Sequence, residues 1–388
     1  MIIWLLLIIP ISTITFLILK YHHKVTWWEY LIQLGVAILL IVIMKVIGEK
    51  SATNATEYWG DLIQRVEYYE SYDIWRHRTC TRQVQCGRDS DGDPIYCTET
   101  YDCSYLERNP ERWKAITVSH WEFSTSKNKY MELMGRFEAK PIFQNMNRQR
   151  QVGFGDRLVK DGNMYYGTWD RDPAKSYAVS KMNTYENKVQ ASQSVFNYQK
   201  VSKKEVEENQ LFQYPKVRDW RLPTVLGGEG IENISAIEDK FHFLNGDLGP
   251  KKQLRTWILL FKSKPLSIAT LQEAYWIGGH KNEFVVCIGI NDALEIQWCY
   301  PFSWTEVHEI KVNTRNFVID QKKLDLISLS EYLYSELNEK WVRKSFKDFS
   351  YLTVEPPTWA LITAFILQTL FNVGFGIWAV RNEFTNYY

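Results

Sequence analysis

The chain has 388 residues, with 46 Lys and Arg against 45 Asp and Glu, so its formal net charge is only +1. That balance removes nucleic acid from the expected partners, because affinity for a polyanion rests on a positive field that a neutral chain lacks. Aromatic residues make up 15% of the chain, including 16 Trp and 23 Tyr, which suits a thick aromatic core or exposed faces that contact partners.

In chain order, the first segment, 1–20, holds the run Ile2 to Leu19, which is apolar apart from Pro10, Ser12, Thr13 and Thr15. A bilayer core of about 30 Å takes roughly 20 helical residues, so this run is predicted to be a retained transmembrane helix. A cleaved secretory signal is the rival, but no basic residue precedes the run and no small-x-small site follows it. The loop at 21–29 sets Lys24, His22 and His23, just after Lys20, against Glu29 alone. Positive charge near span ends stays cytoplasmic, so this loop is expected inside. A second span at 30–48, broken by Gln33 and Lys45, leads back out. A third at 357–380 carries Gln368 and Asn372 and precedes a cytoplasmic tail, 381–388, that opens on Arg381. The N-terminus is then outside and the C-terminus cytoplasmic, and the polar middle lies on the extracytoplasmic, oxidising side. Trp27, Trp28 and Trp359 fall where an amphipathic ring suits the headgroup level.

Beyond the second span, Tyr58, Leu62, Ile63, Val66 and Tyr69 recur at near-helical spacing, which predicts a juxtamembrane amphipathic helix over 49–73. From 74 to 221, short alternating runs such as Ile116 to Phe123, broken by Asn, Gly, Asp and Pro, predict a β-rich part. Four cysteines lie within it. Cys80 with Cys103, and Cys86 with Cys97, share one midpoint between Asp91 and Gly92, a dipeptide that favours a tight hairpin turn. In an oxidising compartment both pairs are expected to bridge, with a longer loop or bulge near Asp89 because hydrogen-bonded positions hold α-carbons further apart. Zinc is a poorer fit, since five residues separate the cysteines within each half and structural sites use two to four. Asp89, Asp91 and Asp93 present alternate carboxylates that could hold Ca2+, against the default of a solvated turn; the later glutamate of an EF-hand loop is missing.

Pro223, Gly227, Gly228, Gly230, Gly246 and Gly249 predict a Gly-rich linker over 222–250. The unit at 251–352 opens with the strand Thr256 to Phe261, continues with a helix from Ser267 to Trp276, and returns in the strand Phe284 to Ile290. Strand, helix, strand implies a parallel pair with both faces covered. A second hairpin joins that strand to Glu295–Tyr300, with Cys287 and Cys299 either facing each other as a bridge or buried as two thiols. A long amphipathic helix from Asp325 to Val342 is expected to cover one face. The fold class expected is therefore an α+β ectodomain, a β-rich disulfide-containing part plus an α/β sandwich-like unit, tethered by three transmembrane helices.

The stretch Trp276-Ile-Gly-Gly-His-Lys-Asn-Glu-Phe-Val-Val-Cys-Ile-Gly-Ile-Asn291, within about 257–319, resembles the TPM domain. In that family a helix and a Gly-rich, Asn-bearing turn precede a buried strand of a membrane-tethered α/β domain on the extracytoplasmic or lumenal side. Some of its members are linked to phosphatase activity and others to assembly or repair of membrane complexes. The overall layout also resembles uncharacterised membrane proteins of large bacterial viruses. The chain has no Gly-x-Ser-x-Gly, no His-Glu-x-x-His, no phosphate-binding Gly-Lys-Ser/Thr loop and no dinucleotide fingerprint. The candidate catalytic residues are Asn282, in the turn Gly278 to Asn282, and Asn291 and Asp292 at the carboxyl end of the following strand, where ligands of open α/β sheets gather; a tight connection is the bland alternative for that turn. The expected function is binding or assembly in a membrane or envelope complex, with the bilayer and a protein partner or second copy as neighbours. A membrane-tethered, phosphatase-like hydrolase is the alternative.

Overall fold

A computed structural model describes residues 2–22, 24–192 and 198–382. His23 and residues 383–388 of the predicted tail lie outside the described residues. Three helices are long and apolar enough to cross a membrane, Ile3–Tyr21, Trp27–Thr53 and Thr358–Asn382. The second begins earlier than its apolar run because Thr26 and Glu29 form a capping box, with the Thr26 N–H donating to Glu29 Oε2 at 2.7 Å. Trp27 and Trp28 stack at its start with centroids 3.9 Å apart, and Trp359 lies in the first turn of the third helix.

The polar interruptions of these helices meet one another. Gln33 Nε2 donates to Asn372 Oδ1 at 3.0 Å and to Thr13 Oγ1 at 3.1 Å, while Asn372 Nδ2 donates to Gln368 Oε1 at 3.0 Å and Gln368 Nε2 to the Ala37 carbonyl at 2.5 Å. Gln33, Gln368 and Asn372 are fully buried. Amides that would be costly in hydrocarbon thus cross-link all three helices.

The expected helix at 49–73 is not formed. The second membrane-type helix runs to Thr53 and passes directly into a 16-residue strand, Asn54–Tyr69. Its first half pairs antiparallel with Ala178–Glu186, and its second half with Met164–Thr168 on one edge and Arg112–Thr117 on the other. A strand with partners on both edges and cover on both faces loses its two-residue alternation, so its apolar positions mimic a helical period. The run Ile116 to Phe123 is likewise two strands, Arg112–Thr117 and Glu122–Thr125, joined by a turn at His120, whose φ is 63°. Helix Lys127–Arg136 packs Tyr130, Leu133 and Met134 on Leu62, Ile63 and Val66 of the long strand.

The expected linker at 222–250 is largely helix, Ile234–Lys252. Its glycines serve contact. A Cβ on Gly60 of the long strand would overlap the Asn245 carbonyl, and one on Gly249 would overlap the Gly60 carbonyl. Helix and strand backbones touch there, which only residues without a side chain allow. This contact joins the β-rich part to the α/β unit.

In that unit the sheet order is Val225–Leu226, Arg255–Lys262, Glu283–Ile290, Ile296–Phe302. The first three strands are parallel, with Trp257 opposite Val285, and the last is antiparallel. Helices Ile234–Lys252, His308–Asp320 and Leu326–Lys340 bury one face with Phe241, Ile310, Leu329 and Leu333, while helix Ser267–Tyr275 and the segment from Leu211 to Leu222 bury the other. Cys287 and Cys299 are free and buried. The bridge considered for them is excluded by register: Cys299 pairs with Ile288 and Cys287 with Tyr300. One residue of offset sends the two thiols to opposite faces of the sheet, and they belong to different core clusters.

Candidate functional site

The three candidate catalytic residues do not converge. Asn282 precedes the strand Glu283–Ile290, and Asn291 and Asp292 follow it, so about 25–30 Å of extended chain separates them. Asn282 is fully buried and donates from Nδ2 to the Tyr58 carbonyl at 2.8 Å, which ties the α/β unit to the long strand. Asn291 Oδ1 accepts from the Ala293 and Glu295 N–H groups at 3.0 and 2.8 Å. It caps an exposed hairpin turn, in which Asp292 is exposed. These residues shape backbone.

Around the Gly278 to Asn282 turn the chain holds three successive left-handed residues, Ile277, Gly278 and Gly279. They swing His280 onto Glu283. The His280 N–H donates to Glu283 Oε2 at 2.8 Å, His280 Nδ1 lies 3.0 Å from Glu283 Oε1, and the Tyr214 hydroxyl donates to the same oxygen. Burial works against the charge on His280, but the Glu283 carboxylate outweighs it and raises the imidazole above its ordinary value. For Glu283, burial pushes up, and His280 and Tyr214 together hold the carboxyl below its usual range. Both carboxylate oxygens are occupied, so Glu283 is no free general base. Beside it, burial brings the guanidinium of Arg255 down to about 10. Its Nη2 donates to the Leu222 carbonyl at 2.9 Å and its Cζ lies 4.5 Å from the Trp257 ring centroid.

The other sequence candidates cluster on a projecting hairpin. Among the described residues, strands Thr79–Arg88 and Pro94–Asp102 pair only with each other. Every residue of them is exposed except Cys80 and Val84, which are half-buried. Two disulfides, Cys80 to Cys103 and Cys86 to Cys97, staple them, with α-carbons 5.8 and 5.7 Å apart. The register differs from one centred on Asp91 and Gly92: Cys80 pairs with Tyr101 and Val84 with Cys97, and the shift between Gln85 and Gly87 places Cys86 in a bulge. The bridges therefore join diagonal neighbours. Asp89 Oδ1 accepts from the Asp91 and Asp93 N–H groups at 3.0 and 2.9 Å, which closes the loop. Among the described residues, no group of three or more His, Cys, Asp or Glu converges as metal ligands.

At the base of the arm, Arg76 bonds Glu107 at 2.5 Å and Asp156 at 2.8 Å, and the His77 N–H donates to Asp156 at 2.8 Å. The Arg76 guanidinium holds both carboxyls below their ordinary values. Along the arm, Ile95, Tyr96 and Tyr101 are exposed, and Arg82 reaches across to Glu99 at 2.8 Å. Each strand leaves an outer edge of unpaired backbone groups. The arm's rigidity is visible in the cysteine spacing, but its isolation from any core is not, because alternation reads the same for a free hairpin and for one laid on a body. No family model matches the chain, and no curated protein or solved structure resembles it significantly.

Proposed function

We propose that this is a multi-pass membrane protein that holds its polar body on the extracytoplasmic side, N-terminus outside and C-terminus cytoplasmic, and uses the stapled hairpin to dock a protein partner in a membrane or envelope complex. The arm carries this reading. A two-stranded ribbon with no core behind it is marginal in water, and two disulfides here hold in place a surface that contributes nothing to the interior. Its tyrosines and open edges suit an extended partner segment that adds as a further strand. Disulfides persist in oxidising compartments, which agrees with an outward-facing body.

The test is photocrosslinking in intact membranes from Tyr96 or Tyr101, with exposed Met182 on the body as the control. Adducts of defined mass at both arm positions and none at Met182 are expected. Peptide sequencing of the adduct separates a foreign protein from a second copy of this chain. Arm positions that label no more than Met182 does would overturn the reading.

A further inference from the structure

A cavity of about 470 Å3 lies where the polar body meets the membrane-type helices. Its walls come from distant parts of the chain. Asn187 donates its N–H to the carbonyl of Thr53, the last residue of the second such helix, at 2.7 Å. The next residue, Lys188, donates from Nζ to the Ser350 carbonyl at 2.9 Å, a few residues ahead of the third helix at Thr358. Gly48 of the second helix packs against Pro356, Pro357 and Ala360, so both helices leave the body side by side below the cavity.

Five cations line it, Lys188, Lys281, Arg343, Lys344 and Lys347, against one acid, Glu186. Arg343 is held by the buried Glu57 and, at 2.7 Å, by Gln253 Oε1; Lys344 pairs with Glu306 and with Asp348 at 3.0 Å. Among the described residues Lys188, Lys281 and Lys347 have no carboxylate within ion-pair distance. The half-buried Lys281 lies 4.2 Å from the Tyr185 ring centroid, and Arg343 Nε is a buried donor without an acceptor. A neutral chain that gathers unpaired cations in one concavity leaves a countercharge to be supplied from outside. Burial and then the Arg343 charge lower the Lys281 ammonium from its ordinary value, which agrees with crowded positive charge.

We propose that this cavity binds a phosphate group, and that its position beside the helix ends suits the phosphate of an anionic lipid headgroup. Arg343 and the lysines supply the charge-assisted donors such an anion takes, and the cavity's place beside the ends of two membrane-type helices puts it within reach of headgroups on the body's own side. The proposal does not depend on the hairpin arm, so the crosslinking test can fail without touching it.

The full chain in nanodiscs tests it, with the thermal midpoint read by tryptophan fluorescence in neutral phosphatidylcholine and in discs containing phosphatidylglycerol, each with and without inorganic phosphate. A ligand that binds only the folded state raises the midpoint. Phosphatidylglycerol is expected to raise it, and Lys281→Gln should remove about half of that rise or more, in keeping with loss of one of a few direct contacts. Lys347→Gln, at an exposed position that folding does not need, should reduce the rise too. Should inorganic phosphate alone give the rise in neutral discs, with the same sensitivity to both variants, the ligand is a soluble phosphate and the site stands. No rise with either phosphate source, or a rise that both variants leave unchanged, overturns it.

Discussion

The hairpin arm and the four-stranded sheet of the α/β unit are both built on β-strands, yet opposite forces hold them. Every residue of Glu283–Ile290 is buried, between Phe284, Val286 and Ile288 on one face and Val285 and Cys287 on the other. No residue of Pro94–Asp102 is buried. The sheet is held by removal of apolar surface from water, and its two cysteines stay reduced on opposite faces. The arm buries almost none of its surface, and its four cysteines are bonded. Covalent linkage therefore stands where packing is absent, and it leaves the arm's surface free for contact.

The widest break in that comparison is expected at Gly60, where the body depends on backbone contact with Asn245 and Gly249. Gly60→Val forces the helix off the strand and should cost more than about 3 kcal/mol in denaturant unfolding. Gly87→Ala in the arm meets only Ile95 Cδ1 at 4.0 Å and should leave the unfolding midpoint unchanged. Next, Cys80→Ser with Cys103→Ser should free the base of the arm, a loss of about 2–4 kcal/mol by loop-closure reasoning. It should appear as lost hydrogen-exchange protection in 79–102 with the global transition in place; a fall of the whole transition would show that the arm supports the core after all.

Asn282→Ala removes the donor to the buried Tyr58 carbonyl and should cost about 1–3 kcal/mol, seen in the same denaturant experiment. pH separates the regions further. His280 is raised, so its contribution is present below the ordinary histidine value near 6.5 and is lost as pH climbs through the folded value. Glu283 is lowered, so its contribution is present above the ordinary 4.5 and lost as pH falls through the folded value. The contribution of this pair should then be greatest between those limits and fall as pH rises above the ordinary histidine value. At the arm base Glu107 and Asp156 are both lowered, so its clamp should hold across that range and open only below the ordinary carboxylate values. Exchange protection followed by region against pH checks both. The smallest effect is expected from Asp292→Ala, an exposed turn position that should shift stability by less than about 0.5 kcal/mol in a thermal melt.

What could be read without coordinates is what neighbouring residues decide among themselves. Three apolar runs are long enough to span because hydropathy is local, although capping by Thr26 and Glu29 extended one beyond its apolar run. The pairing of Cys80 with Cys103 and Cys86 with Cys97 followed from a turn only a few residues away, while the bulge at Cys86 escaped because it shifts register without changing composition. The strand, helix and strand of 255–290 were legible because each is a continuous apolar or amphipathic segment.

Tertiary structure decided the rest. Asn54–Tyr69 is a strand because three others, more than 40 residues away in sequence, pair with it, and a period of 3.6 in its apolar residues could not reveal partners. Gly246 and Gly249 read as loop punctuation, yet Gly249 lies against the backbone of Gly60 and Gly246 against the side chains of Leu62 and Ala178. Asn282, at the other end of the strand from Asn291 and Asp292, was offered as a turn residue of a pocket, and only the fold shows it buried and bonded to the Tyr58 carbonyl. The basic cavity was invisible as well: Lys188, Lys281 and Arg343 are far apart in the chain and meet only once it has folded.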